Sequence, residues 1–247
     1  MAATRLELRD GSVGVGPHSI LENVNLKINA GEVHVLLGQN GSGKSSLLAA
    51  IMGLPPFELT GGQVFYDGED ISSAPIDERA ARGIGMAFQR PPALVGVTIS
   101  EFADALGAGD RLGAEAEALN MARFTDRDVL VGFSGGEIKR WEVLKMFLQQ
   151  PDCILFDEPE SGVDLEHVAA VGIAVVRLLS LPARDGSKRA ALLITHTGLI
   201  LDHIDADYGH LMAGGQIIHS GDPHAMFAHI RSAGYVAPQA AHAGEGV

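Results

Sequence analysis

GQNGSGKS, residues 38–45, is preceded by the apolar run EVHVLL (32–37) and followed by SLLAAIMG (46–53), whose apolar residues recur at helical spacing. A buried strand that enters a glycine-rich turn and leaves as a helix gathers backbone N–H groups at a positive helix end, and GxxxxGK[ST] is the spacing of a phosphate loop. Gly38, Gly41 and Gly43 let the chain curl, so that their amides and those of Asn40 and Ser42 converge on phosphate oxygens. Lys44 is placed to reach the β- and γ-phosphates, the Ser45 hydroxyl to ligate Mg²⁺, and Ser46 to continue the same turn.

Two further apolar runs end in polar residues. ILFDEPESGVD (154–164) closes a strand with Asp157 and Glu158, where a phosphate-loop fold needs one acid for the metal and a second to align water. Asp157 fits the Mg²⁺ partner and Glu158 the general base. AALLITH (190–196) ends in His196, which at a third strand's carboxyl end is expected to meet the γ-phosphate. Helical sequence separates these runs, the βαβ pattern of a parallel sheet, and such sheets bind ligands at the carboxyl ends of their strands.

The N-terminal part reads differently. TRLELR (4–9) and ILENVNLKI (20–28) alternate as strands, and QVFYDG (63–68) repeats the pattern, so an antiparallel β part is expected there. Asp77 to Gly83 and Ile99 to Phe124 turn helical, with GAGD (107–110) as a break. The expected fold is α/β: a mostly parallel core sheet, an N-terminal antiparallel part and a short helical subdomain of about 91–150, all within residues 1–235. VAPQAAHAGEGV (236–247) is expected to be a flexible tail.

Composition narrows the function. Eighteen Lys and Arg stand against 31 Asp and Glu, a net charge of −13, which argues against a sequence-independent grip on nucleic acid. The longest apolar stretch, HVAAVGIAVVRLLSL (167–181), is interrupted by Arg177, so no direct membrane insertion is expected, and the N-terminus has no signal-peptide core. The single cysteine, Cys153, forms no intrachain disulfide and suits a cytoplasmic setting.

FSGGE (133–137) contains a second anion site. Ser134 and Glu137 have capping-box spacing ahead of the stripe Ile138, Trp141, Leu144 and Leu148. Gly135 and Gly136 bare further N–H groups at that helix start. Two anion sites in one chain make sense if two copies meet head to tail, each pairing its phosphate loop with the partner's FSGGE.

With these motifs in order, the chain resembles the ATP-binding cassette ATPases: GQNGSGKS as Walker A, Gln89 of MAFQRPP as Q-loop, FSGGE as signature, ILFDE as Walker B, SGVD as D-loop and His196 as switch histidine. Within that family it is most similar to the SufC group of the SUF iron–sulfur cluster assembly system. GEVHVLLGQNGSGKS, ELTGGQVFYDGEDI, RGIGMAFQRPP, VGFSGGEIKRWEVLKM, PDCILFDEPESGVD and THTGLILDHIDADYGHLMAGGQIIHSGDP carry that likeness. The resemblance implies hydrolysis of ATP with Mg²⁺ in an ATP-dependent homodimer. It places Gln89 both at the metal and in catalysis, beside Glu158 and His196. It also implies a soluble complex with a SufB-like scaffold, docked at the Q-loop cleft and helical subdomain. The alternative setting is the ATP-hydrolysing subunit of a membrane ABC transporter.

Three departures stand out. The segment between Gln89 and Phe133 is short for the group, which implies a reduced partner surface. Ile138 stands where relatives carry a basic residue. Residues 1–56 hold no Phe, Tyr or Trp to stack on adenine, leaving Val13, Val15 or His18 as supports. A cluster needs about four ligands, mostly thiolates, so with one cysteine any cluster chemistry is expected on a partner.

Overall fold

The structure is a computed structural model that describes residues 3–236, the side chains of Leu165 and Glu166 excepted. Beyond Val236, the expected tail 236–247 lies outside the described residues.

Strand β1 (Thr4–Val15) turns at Gly16, where φ is +56°, into β2 (His18–Asn29). Leu21, Val24, Leu26 and Ile28 of β2 are buried, as alternation predicts for a sheet with one wet face. β3 (Val33–Gly38) is buried at every position, the mark of a strand covered on both faces, and leads through the phosphate loop into α1 (Lys44–Met52). β4 (Glu58–Tyr66) and the two-residue β5 (Glu69–Asp70) complete an antiparallel sheet ordered β2-β1-β4-β5. After α2 (Ile76–Arg82) and β6 (Ile84–Ala87), a short ribbon pairs β7 (Leu94–Thr98) with β8 (Asp128–Val129). Between its strands lie α3 (Ile99–Ala105) and α4 (Gly109–Ala118); the expected break falls between them, with Gly107 at φ +63°. The rest of the chain is α5 (Gly135–Gln149), β9 (Cys153–Asp157), α6 (Leu165–Ser180), β10 (Ala190–Ile194), β11 (Tyr208–Ala213), β12 (Gln216–Gly221) and α7 (Pro223–Ala233).

The second sheet runs β12-β11-β3-β10-β9-β6, parallel throughout except for β12. Its register sets Ile194 beside both Leu36 and Asp157, and Ala87 beside Phe156. The carboxyl ends of β3, β10, β9 and β6 therefore deliver the phosphate loop, His196, Glu158 and Gln89 to one edge. Alternation sorts the residues of β9 and β10 into two cores. Ile154, Phe156 and Leu193 pack with α3 to α6, while Cys153, Leu155 and Leu192 pack with α1 and the antiparallel sheet. Burial pushes the Cys153 thiol up to about 12, and with no exposed surface it behaves as a small apolar side chain.

Away from that edge, β3 and β11 carry a buried polar chain. His34 Nδ1 lies 2.9 Å from His210 Nε2, His34 Nε2 lies 3.1 Å from Glu32 Oε2, and His210 Nδ1 lies 2.8 Å from Ser220 Oγ. Burial lowers both imidazoles, and His34 beside it helps bring His210 down to about 4 from 6.5. The unfolded chain therefore binds more protons than the folded one between those values, so this stability is complete above pH 6.5 and is lost as pH falls toward 4. Acidification from pH 7 to pH 5 is expected to lower the unfolding free energy by roughly 2 kcal/mol through His210 alone. Urea titrations at both values, on the wild type and on His210→Gln, check this: an equal pH dependence in the two proteins contradicts it.

Candidate functional site

The phosphate loop is held by close packing as well as by its dihedrals. Gly43 has φ +103°, and a Cβ there would lie 2.5 Å from Leu21 Cδ2; one on Gly38 would lie 2.4 Å from the Met212 carbonyl oxygen. Only glycine fits either position. Lys44 is buried and donates to the carbonyls of Gly38 (2.8 Å) and Gln39 (2.9 Å), so its ammonium lies across its own loop. Burial lowers its pKa, against the pull of Glu158 and Asp157.

Ser45 Oγ donates to Asp157 Oδ1 at 3.0 Å. Burial raises the Asp157 pKa, and the serine hydroxyl acts in the opposite sense. These two hard oxygen donors fit Mg²⁺, which takes one or two protein oxygens and completes its shell with phosphate and water. Among the described residues no group of three or more His, Cys, Asp or Glu is arranged to hold a metal by itself.

Glu158 follows β9 at φ +49°, a left-handed conformation that costs energy in a residue with a side chain. Gln89 Nε2 donates to Glu158 Oε2 at 2.5 Å, and His196 Nδ1 stands 3.3 Å from that oxygen. Behind them Lys139, buried on α5, donates to the backbone oxygens of Gln89 (3.1 Å) and Glu158 (2.9 Å). Its pKa is lowered by burial and supported by Glu142, Asp157, Glu160 and Glu158. Glu160 accepts from the hydroxyls of Thr195 and Thr197, the residues flanking His196, and so fixes the loop that presents the imidazole.

The start of α5 has the expected capping box: Glu137 N donates to Ser134 Oγ at 3.4 Å and Ser134 N to Glu137 Oε2 at 2.7 Å. Trp141, Leu144 and Leu148 are buried as the stripe predicts.

These parts surround a cleft of about 580 Å³. Asn40, Gly41, Gly43, Lys44, Ser45 and Ser46 form its loop side, with Gln89, Glu158 and His196 beside them. Gly135 also lines it, although Ser134 and Gly136 do not. Gly38, Ser42 and Asp157 are buried beneath the lining. Of the candidate adenine supports, Val13 is corrected: it has no exposed surface and belongs to the core, whereas Val15 is half-buried and His18 exposed beside the β1–β2 turn.

Sequence reasoning missed Lys139, Glu142 and Glu160. The row Lys139, Glu142, Lys145 is spaced i, i+3, i+6 and reads as a solvated helix face, yet all three are buried. No local pattern marks them for burial; the sequence signal at hand is only that Glu142 and Lys145 stand four residues after Ile138 and Trp141 of the apolar stripe. Ile138 lines the cleft and packs on the core, and its neighbour Lys139 supplies the cation.

The ABC transporter family profile matches residues 21–161. "Probable ATP-dependent transporter SufC" of Escherichia coli is 37% identical over 234 residues, covering 88% of this chain and 92% of that protein. "Probable ABC transporter ATP-binding protein" of Streptococcus pyogenes serotype M18 is 34% identical over 247 residues, covering 93% of each. Among solved structures, an ATP-binding cassette of an ABC transporter in its ADP conformation superposes with a TM-score of 0.74 at 25% identity, covering 93% of this chain and 95% of that one.

Proposed function

This chain belongs to the ATP-binding cassette ATPases of the ABC transporter family, and on that premise we propose that it is the ATP-driven motor of a soluble iron–sulfur cluster assembly complex. The observation that carries the hydrolytic part is the meeting of Gln89, Glu158 and His196 at one carboxylate oxygen, in the cleft that the phosphate loop lines. Its likeness over most of its length to the relative named SufC supports the cluster-assembly setting.

In this reading Lys44 leaves the carbonyls of Gly38 and Gln39 for the β- and γ-phosphates, and the loop amides bind the remaining oxygens. Ser45, Asp157 and Gln89 would hold Mg²⁺, which when bound neutralises phosphate charge. Glu158 accepts the proton of the attacking water; Gln89 and His196 orient that carboxylate and the γ-phosphate. Ser134, Gly135 and Gly136 of one copy cap the nucleotide of the other, so that ATP closes a head-to-tail homodimer and hydrolysis reopens it. That motion is passed to a SufB-like scaffold seated at the Q-loop cleft.

The second reading, the motor of a membrane transporter, is supported by the name of the streptococcal relative. Among the described residues no helix is long and apolar enough to cross a membrane, so such a motor needs separate membrane subunits. Anaerobic, detergent-free pulldown from the native cell separates the two readings. The expected catch is a soluble protein carrying cysteine ligands or bound iron and sulfide, whose cluster loading falls in a strain with Lys44→Ala. Recovery of integral membrane proteins alone, with cluster loading unchanged in that strain, contradicts the assembly role.

A further inference from the structure

Behind the loop that carries His196 lies a second cavity of about 590 Å³, walled on one side by Thr197, Gly198 and Leu199 and on the other by α7. His196 lines this cavity as well as the nucleotide cleft, so its loop is a partition between the two. On α7, His224, Phe227 and Arg231 line the far wall, spaced i, i+3 and i+7 along one side of the helix. The adjacent stripe, Met226 and Ile230, is buried against Val35 and Leu37 of β3 and Leu211 of β11. Helix α7 is thus seated on the strand that leads into the phosphate loop, and Asp222 caps its first turn by accepting from Ala225 N at 2.7 Å.

The partition is held differently on its two faces. Thr195 and Thr197 donate to Glu160, and Thr195 Oγ1 in turn accepts from the Gly198 N–H at 2.9 Å. Those bonds fix the loop to the segment that follows β9. On the α7 side the contact is a ring on a glycine. A Cβ at Gly198 would lie 2.5 Å from Phe227 Cε1 and closer still to the tip of the ring, so the ring rests directly on the Gly198 backbone. Gly198 has φ +70°, and the chain continues from it into a 3₁₀ turn (Leu199–Asp202). Glycine has the widest choice of backbone conformations and no side chain to limit it, so the ring supplies a restraint that the residue itself lacks.

We infer that Phe227 is a positioning residue for hydrolysis: pressed on Gly198, it sets the loop two residues after His196 and so holds the imidazole at its 3.3 Å separation from Glu158 Oε2. Phe227 acts through the loop and touches no reacting atom. Misplacing a catalytic group by about 1 Å costs on the order of 10²-fold in rate, so a ring that keeps the loop from sinking into the cavity has kinetic weight without contact to the nucleotide. The inference rests on the proposed role of His196 and adds the residue that places it.

Phe227→Ala opens space beside Gly198 and leaves Met226 and Ile230 to hold α7. Its kcat for ATP is expected to fall at least about tenfold with KM changed by less than roughly twofold, because the phosphate loop is untouched. Phe227→Leu keeps apolar bulk at the contact and should show a smaller loss of the same kind. A ring that served folding alone would lower stability without that split, so urea unfolding of each variant is measured beside its kinetics. The decisive comparison is a cycle with His196→Ala. Two residues acting through one imidazole are non-additive, so Phe227→Ala/His196→Ala should turn over no more slowly than His196→Ala alone. Where Phe227→Ala does not fold, Phe227→Leu runs the same cycle. Wild-type kcat in either folded variant, or a loss that multiplies with that of His196→Ala, overturns the inference and leaves the ATPase standing. Wild-type turnover by His196→Ala overturns the role of the imidazole beneath it.

Discussion

Replacement of Glu158 by Gln is expected to lower ATP turnover by about 10²–10⁴-fold, the usual worth of a general base, while ATP still binds. The amide keeps the length of the side chain and an oxygen that can accept from Gln89 Nε2, which donates to Glu158 Oε2 at 2.5 Å in the native site. The backbone anchor, Lys139 Nζ to the Glu158 carbonyl at 2.9 Å, does not involve the substituted group. What the substitution removes is basicity, at the oxygen that also faces His196 Nδ1. Dimers that close on ATP then have no route to reopen, so the variant should elute as a dimer with ATP and Mg²⁺ and as a monomer without them. Retention of wild-type turnover, or a monomer under saturating ATP, rejects Glu158 as the base of a closing dimer.

An equally large effect is expected from mixing two inactive proteins. Lys44→Ala removes the ammonium proposed to reach the phosphates, and Ser134→Arg puts a bulky cation at the helix cap where Glu137 N now meets Ser134 Oγ. Each variant alone should be nearly inactive. In a mixed head-to-tail dimer one composite site joins the intact phosphate loop of the Ser134→Arg copy to the intact signature of the Lys44→Ala copy. Random pairing makes half of the dimers mixed, each with one intact site, so roughly one quarter of wild-type sites should return. Specific activity of the wild type should also rise with protein concentration. No recovery on mixing, together with activity per subunit that is constant on dilution, rejects the composite site.

Much of this chain is legible because its chemistry is compressed into short segments. The phosphate loop is eight residues whose ligands are largely backbone amides, and the strand before it and helix after it are apolar runs of the right lengths. The strand ends at Asp157 and His196 are marked by the step from apolar to polar residues. The parallel sheet and the separate N-terminal antiparallel sheet follow from the contrast between continuous and alternating apolar patterns, and both are present.

What only the tertiary structure decided is which of these segments meet and which charges go inside. Ser45 and Asp157 are 112 residues apart, Gln89 and Glu158 are 69 apart, and Phe88 and Glu142 are 54 apart. Each contact depends on the order β3-β10-β9-β6, which no local periodicity encodes. Val13 of β1 could face solvent or core by its pattern alone, and it is buried because that face of the sheet packs with Leu47 and Leu48 of α1. Lys139, Glu142 and Lys145 show the same limit most plainly. Their spacing on α5 is that of an exposed charged face, and they are buried because Gln89, Phe88 and Glu158, brought from distant strands, supply backbone partners to Lys139 and Glu142, while Glu142 in turn pairs with Lys145 on the same helix.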